Sequence, residues 1–599
     1  MRSGITRRLV EVSAAVALLG VAGAAAPATV AARNADSGHR FMVVSKDAST
    51  FSGLRGDIVA AGGRIVNELP GIDTFVVTGP ATLSNLATSA NASGVAPDHL
   101  ETLSPPEGGK PAFHKPLGHG SAAGHGKVTP DPAFSLPGLM WNVNRIDAPQ
   151  AWKATAGSPA VTVGVADTGL DYTNSELAKQ VAYVKDFTDM EGTTTICQQE
   201  FPEVGLTDAD FAGLYGGPAN TDWNGHGSWI GGNIAAALDG VGINGIAPKV
   251  KLVALKISQW CGYADDSEIL AAFVYAADHG IDVVSISFGG YLDMTDPAQA
   301  LIYKQYVKTV QYALSKGTLI VAAAGNEHVR VGAGGRVLSH GSETVPGDPL
   351  SDLFGLYETP GGIPGVVMVS ATGNVVAAPS ASCPAGTIGD SPDALGGLGS
   401  ATCLPKSYLH QPTGVGRQNQ LAYYSNYGPR IDVAAPGGAR KFNIPRYDGG
   451  GTPGFPYTTA DGTTAFEDFS ITSNWALEIP SFLGSDLGPQ FYPNDWYATI
   501  QGTSMATPHA SAVVALIASR YPSLRHRPLA LEAVLKSTAQ HVWGNTTQPL
   551  SAKDTSAGDF TGVACATGYC HNGGAPISDA EAYGAGLVNA ANAVNWSGH

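Results

Sequence analysis

Five short runs of this chain are apolar on both faces: Val161 to Ala166, Val250 to Ile257, Asp282 to Ser287, Thr318 to Ala324 and Val366 to Ser370. A strand whose odd and even positions both seek burial must be covered on both sides, which is the situation of a parallel sheet between helical layers. Helical runs fall between these strands: Ser228 to Leu238, Ser267 to His279 (Asp266 before it, Gly280 after), and Ala298 to Lys316. Strands alternating with capped helices predict an α/β fold, a doubly wound parallel sheet. With 599 residues and 44% hydrophobic content the chain can bury a large core. No fixed-period repeat interrupts the pattern. In such sheets working residues gather at the carboxyl ends of the strands, so those ends are the place to look for chemistry.

Asp167 directly follows the first run, within Asp167-Thr168-Gly169, and Asn326 follows the fourth, within Ala323-Ala324-Gly325-Asn326. His226 stands in Asn224-Gly225-His226-Gly227-Ser228, where a Gly-rich loop enters a small-residue helix. Taken singly, each is also what an ordinary turn, loop histidine or strand end looks like. Far downstream, Gly502-Thr503-Ser504-Met505-Ala506-Thr507-Pro508-His509 opens an apolar, small-residue run to Ser519. Its Ser504 reads as a nucleophile at a helix N-terminus, where free N–H groups and the positive end of the dipole favour an oxyanion. Pro508 is consistent with a first helical turn. Together these residues make an acyl-transfer set. Ser504 needs a base, which His226 supplies near neutral pH; Asp167 would fix the imidazole tautomer; Asn326 would donate to the tetrahedral oxyanion.

The flanks read differently. Residues 1–32 carry Arg2, Arg7 and Arg8 ahead of an apolar stretch from Leu9 to Ala26, then the small residues Thr29 to Ala32, the pattern of an export signal rather than a membrane anchor. Residues 40–103 order as strand (Arg40 to Ser45), helix (Phe51 to Ala61), two strands (Arg64 to Leu69, Thr74 to Thr78) and a second short helix (Ala81 to Ala90), a small α+β unit. Residues 104–136, rich in Pro, Gly and His, form an exposed linker that is easily cut. The net charge of −16, with no basic cluster beyond the N-terminus, excludes nucleic acid as an expected partner. Six cysteines in an exported chain should pair, and proximity favours Cys565 with Cys570, Cys383 with Cys403 and Cys197 with Cys261 among fifteen arrangements.

These motifs, in this order, resemble the subtilisin family of serine endopeptidases. Further matches are Trp141 to Trp152, Gly245 to Pro248, Ser287-Phe288-Gly289-Gly290, Ser425 to Gly428, Ala434 to Gly437 and Tyr583 to Ala590. The resemblance implies a subtilisin-like catalytic domain over 137–599, with inserts near 186–222, 327–362, 374–420 and 438–500. It implies a ferredoxin-like inhibitor pro-domain at 40–103, whose tail from Val95 to Leu103 lies in the cleft. It makes Asp167, His226 and Ser504 the triad, Asn326 the oxyanion donor, and Ser287, Phe288, Gly289, Ala323, Ala324 and Gly325 the substrate-binding walls, with Glu327 near the rim. Small walls suggest room for a large apolar or aromatic side chain. The aromatic-rich insert at 438–500 either rims the cleft or covers a flank, the flank being the preferred reading. Where the family usually carries a second His, this chain has Ser228-Trp229. No cofactor is required by this chemistry. A structural calcium is a candidate at Glu176 and the loop Leu238 to Ile243, although that loop is one residue shorter than the pattern. The chain is expected to be a secreted monomer without a membrane anchor, made as a self-inhibited precursor and acting on protein or peptide substrates. A catalytically silent binding protein of the same fold is the alternative, and it would require a broken site, whereas all four positions are intact. A related hydrolase with a Ser-Glu-Asp set is disfavoured by His226.

Overall fold

The computed structural model describes residues 39–103, 140–188, 220–240, 242–339, 353–373, 387–389, 403–405, 419, 421–422, 424–438, 471–476, 496–541 and 577–598. The export segment, the linker, most of the inserts and the cysteines 197, 383, 565 and 570 lie outside them. Cys261 is disulfide-bonded. No described helix is long and apolar enough to cross a membrane.

Residues 39–103 form one unit: β1 (His39–Ser45), α1 (Phe51–Ala60), β2 (Arg64–Leu69), β3 (Thr74–Gly79) and β4 (Ala92–Pro97). Their antiparallel sheet has the order β2-β3-β1-β4. Strand periodicity of two sorts the side chains. Phe41, Val43, Phe75 and Val77 point to α1, with Leu54 and Ile58, while Met42 and Val76 point to the opposite face. The second helix expected there is a 3₁₀ segment, Ala81–Thr88. The expectation for the tail is corrected too. Val95 to Pro97 belong to β4, inside the small sheet, and only the following β5 (Leu100–Thr102) leaves it.

The larger unit is built on a seven-stranded parallel sheet. Its strands are β6 (Thr162–Asp167), β7 (Val181–Asp186), β8 (Lys251–Lys256), β10 (Val283–Ile286), β12 (Leu319–Ala323), β14 (Val367–Thr372) and β17 (Val433–Pro436), in the order β17-β14-β12-β10-β6-β8-β7. The five both-faced apolar runs are its central strands. The edges β7 and β17 escaped that reading: β7 is half exposed, and β17 has four residues. Helices α2 (His226–Ala235), α3 (Asp266–Asp278), α4 (Pro297–Lys316) and α5 (Thr503–Arg520) cover the sheet. α3 starts with a capping box, the Asp265 side chain and Glu268 exchanging hydrogen bonds with each other's backbone N–H groups. α4 starts on the Asp296 side chain and ends at left-handed Gly317.

α5 runs through the core, buried from Thr503 to Ala518, against β10, β12, β14 and β17 and beside α2. Each buried Val or Leu of this helix contributes about 1.5–3 kcal/mol over exposure. Pro508 is the sixth residue of the helix, not in its first turn. It has no N–H for the carbonyl four residues back, and that carbonyl belongs to Ser504. Ser287 Oγ, 3.1 Å away, donates to it instead. The freed acceptor thereby ties the serine to the end of β10.

The outer face of the small sheet packs on α3 and α4, where Met42, Ile72, Val76 and Ala96 join Ile269, Phe273, Ile302 and Tyr306 in one apolar cluster. β5 pairs antiparallel with β9 (Tyr263–Asp265), and the Leu103 amide donates to Gly262 O at 2.8 Å. Polar groups line the seam: Arg40 Nε donates to Asp98 Oδ2 at 3.1 Å and to Ser267 Oγ at 2.9 Å, and the Ser267 amide donates to Asp98 Oδ1 at 3.1 Å.

Candidate active site

The parallel order β8-β6-β10-β12 brings four carboxyl ends together, and the start of α5 meets them. Asp167 ends β6 and is buried. Both its oxygens face Nδ1 of His226, at 2.9 and 3.0 Å, and its Oδ1 also accepts the Thr168 amide at 2.8 Å. His226 is the first residue of α2, reached through Gly225 at φ 105°, a conformation open to glycine at little cost. A Cβ at Gly225 would also collide with the Trp475 ring at 2.2 Å. His226 Nε2 is buried and has no hydrogen-bond partner among the described residues.

Ser504 is the second residue of α5. Its hydroxyl donates to Ser287 O at 3.3 Å and not to His226 Nε2. The expected serine–imidazole hydrogen bond is thus not made in this state, and the serine rotamer is held by β10. Asn326 Oδ1 accepts the amide and hydroxyl of Thr503, at 2.9 and 2.7 Å, which leaves Nδ2 buried, unpartnered and next to the Ser504 turn. The other histidine of the serine motif is unavailable. His509 Nδ1 donates to Met505 O at 2.8 Å, its Nε2 accepts from Asn142 at 2.9 Å, and burial pulls its pKa down to about 3.

Three residues support this constellation, and of them only Thr168 belongs to a motif. Asp222 accepts the amides of Asn224 and Gly225 on Oδ1 and that of Ser228 on Oδ2, at 2.7–2.9 Å, shaping the turn that presents His226. Thr168 Oγ1 lies 2.9 Å from Asp222 Oδ1 and accepts the Gly227 amide. Lys256, fully buried at the end of β8, donates to Thr168 O at 2.6 Å and Thr221 O at 3.1 Å. A buried lysine at a strand end reads in sequence as an exposed one, so only the fold reveals it.

A pocket opens beside Ser504. Ser287, Phe288, Gly289, Ala323 and Gly325 line it, as the sequence led us to expect, together with Tyr291, Glu327 and Glu358. Ala324 does not line it; that side chain packs with Val329, Val331 and Met368. The walls are small, but the pocket is not the apolar slot that small walls suggest. Glu327 accepts from Tyr291 Oη at 2.6 Å and Asn426 Nδ2 at 3.2 Å, and burial raises its pKa. Glu358, on β13 (Tyr357–Thr359), is buried, accepts the Gly362 amide, and is raised to about 8 by desolvation. Glu358 falls in a stretch that reads in sequence as an insert, and β13 ties that stretch to β11 (Gly290–Leu292) under the pocket.

The candidate calcium residues are differently engaged. Glu176 Oε1 accepts from the Tyr497 hydroxyl and from the Ile243 amide at 3.3 Å, and it presses on Gly242. That oxygen of Glu176 is thus engaged by two protein donors, where a calcium would need it as a ligand. The 438–500 stretch contributes β18 (Ile471–Trp475) and β19 (Trp496–Ile500), a pair lying along α2. Ser473 Oγ donates to Trp229 O at 2.7 Å and Trp229 Nε1 to Ala498 O at 3.0 Å, so this part covers a flank.

Comparison with known proteins places this geometry in context. Residues 158–581, well over half of the chain, match the profile of the Subtilase family. Thermitase of Thermoactinomyces vulgaris is 25% identical over 419 residues, 70% of this chain and 93% of the relative. The major intracellular serine protease of Bacillus subtilis is 30% identical over 201 residues, 33% of this chain and 53% of its own. Among solved structures, an epidermin leader peptide processing serine protease from Staphylococcus aureus aligns with a TM-score of 0.54 at 17% identity, covering 94% of this chain and 99% of that one.

Proposed function

The chain belongs to the Subtilase family and is a subtilisin-like serine peptidase, and we propose that it is a secreted endopeptidase, made with residues 40–103 as its inhibitor, that cuts peptide bonds through Ser504, His226 and Asp167. The observation that carries this reading is the His226 imidazole: Nδ1 is held by Asp167, and Nε2 is buried without a hydrogen-bond partner among the described residues. A base so oriented can take the Ser504 proton as Oγ attacks the carbonyl carbon. The imidazolium then returns that proton to the leaving amine, and Asp167 stabilises its charge. Attack requires the Ser504 hydroxyl to leave the Ser287 carbonyl. The tetrahedral oxyanion would be met by Asn326 Nδ2 and by the backbone N–H of Ser504. Water then repeats the sequence on the acyl-enzyme.

β5 supports the inhibitor role. It pairs with β9, and its end at Leu103 approaches Gly262, so a strand of the chain itself occupies an edge on which an extended substrate would dock. Residues 104–136 are the segment to be cut, and the mature enzyme would begin beyond it. Secretion rests on the signal-like residues 1–32.

The test is active-site labelling beside processing. Secreted protein should react with a fluorophosphonate at Ser504 and be recovered without residues 40–103, while Ser504→Ala should stay unlabelled and full-length. An intact Ser504 that never labels sinks the peptidase reading; trimming of Ser504→Ala at the same bond sinks self-processing.

A further inference from the structure

The peptidase reading leaves open which side chain enters the pocket at Ser504, and two carboxylates bear on that. Gly289 and Gly325 both line the pocket. A Cβ at Gly289 would sit 3.3 Å from Glu358 Oε1, and a Cβ at Gly325 would sit 2.7 Å from Glu327 Oε2. Anything passing those glycines therefore meets both acids. Neither acid is loose. Tyr291 Oη and Asn426 Nδ2 fix Glu327, and the Gly362 amide fixes Glu358. Among the described residues, no basic side chain lines the pocket. Arg430, the cation behind it, is engaged with Asp432 at 2.6 Å and with the carbonyls of Gly362, Ile363 and Val366. Two carboxylates lining an open-ended pocket are complementary to a cation brought by a ligand.

We propose that this pocket takes a lysine or arginine side chain, so that the enzyme cuts after basic residues, with Glu358 and Glu327 as the groups that recognise the charge. This rests on the peptidase reading and refines it. The long apolar stem of a lysine or arginine suits the stretch between Ala323, Gly289 and Gly325, and its charged end suits the acids beyond. Large apolar side chains would cover both carboxyl groups and offer them neither charge nor hydrogen bond, which costs affinity. The charged neighbours act on Glu358 in both senses. Glu327 raises Glu358 and Arg430 lowers it, while Tyr291 is held neutral by burial, so an incoming cation favours the ionised form of Glu358.

The experiment compares kcat/KM on fluorogenic tetrapeptides identical except for Lys, Arg, Gln, Phe or Leu before the cut bond, using the processed enzyme. The enzyme is first titrated with a fluorophosphonate, so that rates refer to reactive Ser504. The expected result is a preference for Lys and Arg over Phe of at least about tenfold. Glu358→Gln and Glu327→Gln, both isosteric, should each reduce the Lys/Phe ratio about tenfold while labelling is retained, and the double variant should reverse it. An enzyme that labels fully but prefers Phe, Leu or Gln overturns the inference alone, as does a Lys/Phe ratio unmoved in the double variant. A protein that does not label overturns the activity itself and the inference with it.

Discussion

Asn326 and Thr503 are joined by two hydrogen bonds to one oxygen: the Thr503 amide and hydroxyl both donate to Oδ1. That pairing decides which end of the Asn326 amide faces Ser504, and it leaves Nδ2 as the free donor. Thr503 is therefore a positioning residue. Thr503→Val keeps the amide bond and loses the hydroxyl one, worth about 1 kcal/mol, so kcat should fall roughly fivefold to tenfold with KM nearly unchanged. Thr503→Ser should restore it. Removal of the donor itself, as Asn326→Ala, should cost roughly 10²–10³ in kcat, the scale measured in a subtilisin, a relative of this chain. Steady-state kinetics on one peptide substrate checks all three; an equal fall in Thr503→Ser and Thr503→Val would remove the hydroxyl from the account.

His509 gives the larger unit an acid-sensitive stability. Burial holds its pKa at about 3, far below the value near 6.5 of an unfolded histidine. Between those limits the unfolded chain binds one proton more than the folded one, so stability is fully present above about pH 6.5 and is lost as pH falls toward 3. His509→Gln removes that proton. The loss of urea midpoint from pH 7 to pH 4, measured in a Ser504→Ala background, is expected to be smaller with Gln than with His. Equal losses would show that the imidazole is not the group responsible.

The seam between the two units has the opposite sign. Burial raises Asp98 to about 7, and it raises Glu101 and Glu268 well above the ordinary carboxylate range. Facing them are Arg40 and His99 on the small unit and Asp265, Asp266 and Tyr306 on the large one. A carboxyl group raised on docking is protonated when docked and ionised when released. The docked form then binds more protons between about pH 4 and 7, and docking weakens as pH rises through that window. Ser504→Ala protein cut within 104–136 by an added protease should elute as one complex at pH 5 and release residues 40–103 at pH 8. Release at acid pH instead would reverse the assignment.

How much of this was legible in the sequence follows a physical divide. The central strands, and Asp167, His226, Asn326 and Ser504 at element ends, are local features: apolar runs, a glycine before a helix, a turn after a strand. Glu358, Asp222 and Lys256 have no such mark. Each works only because residues distant in sequence close over it, and an isolated acid or lysine in a loop looks solvated until they do. β4 was misjudged for a related reason: Ala92–Pro97 gains its strand partner from β1, some fifty residues earlier. The Pro508 position was misplaced by one turn, because helix starts are set by backbone capping at Gly502 rather than by the apolar run.

The acidic pocket carries one more expectation, separable from the rest of the catalytic machinery. With Glu358 raised to about 8, the empty pocket is largely protonated at that site near neutral pH. A bound ammonium or guanidinium group stabilises the ionised form and so drives a proton off. Affinity for a basic side chain therefore climbs as pH approaches 8 and levels above it, while affinity for Phe does not follow that group. A group that acts on both substrates alike cancels in their ratio. The Lys/Phe ratio of kcat/KM should rise between pH 6 and pH 9 in the native enzyme, and it should be nearly flat in Glu358→Gln. A ratio flat in both proteins would place the recognising charge elsewhere, and a ratio falling with pH would mean that the protonated acid is the form that binds.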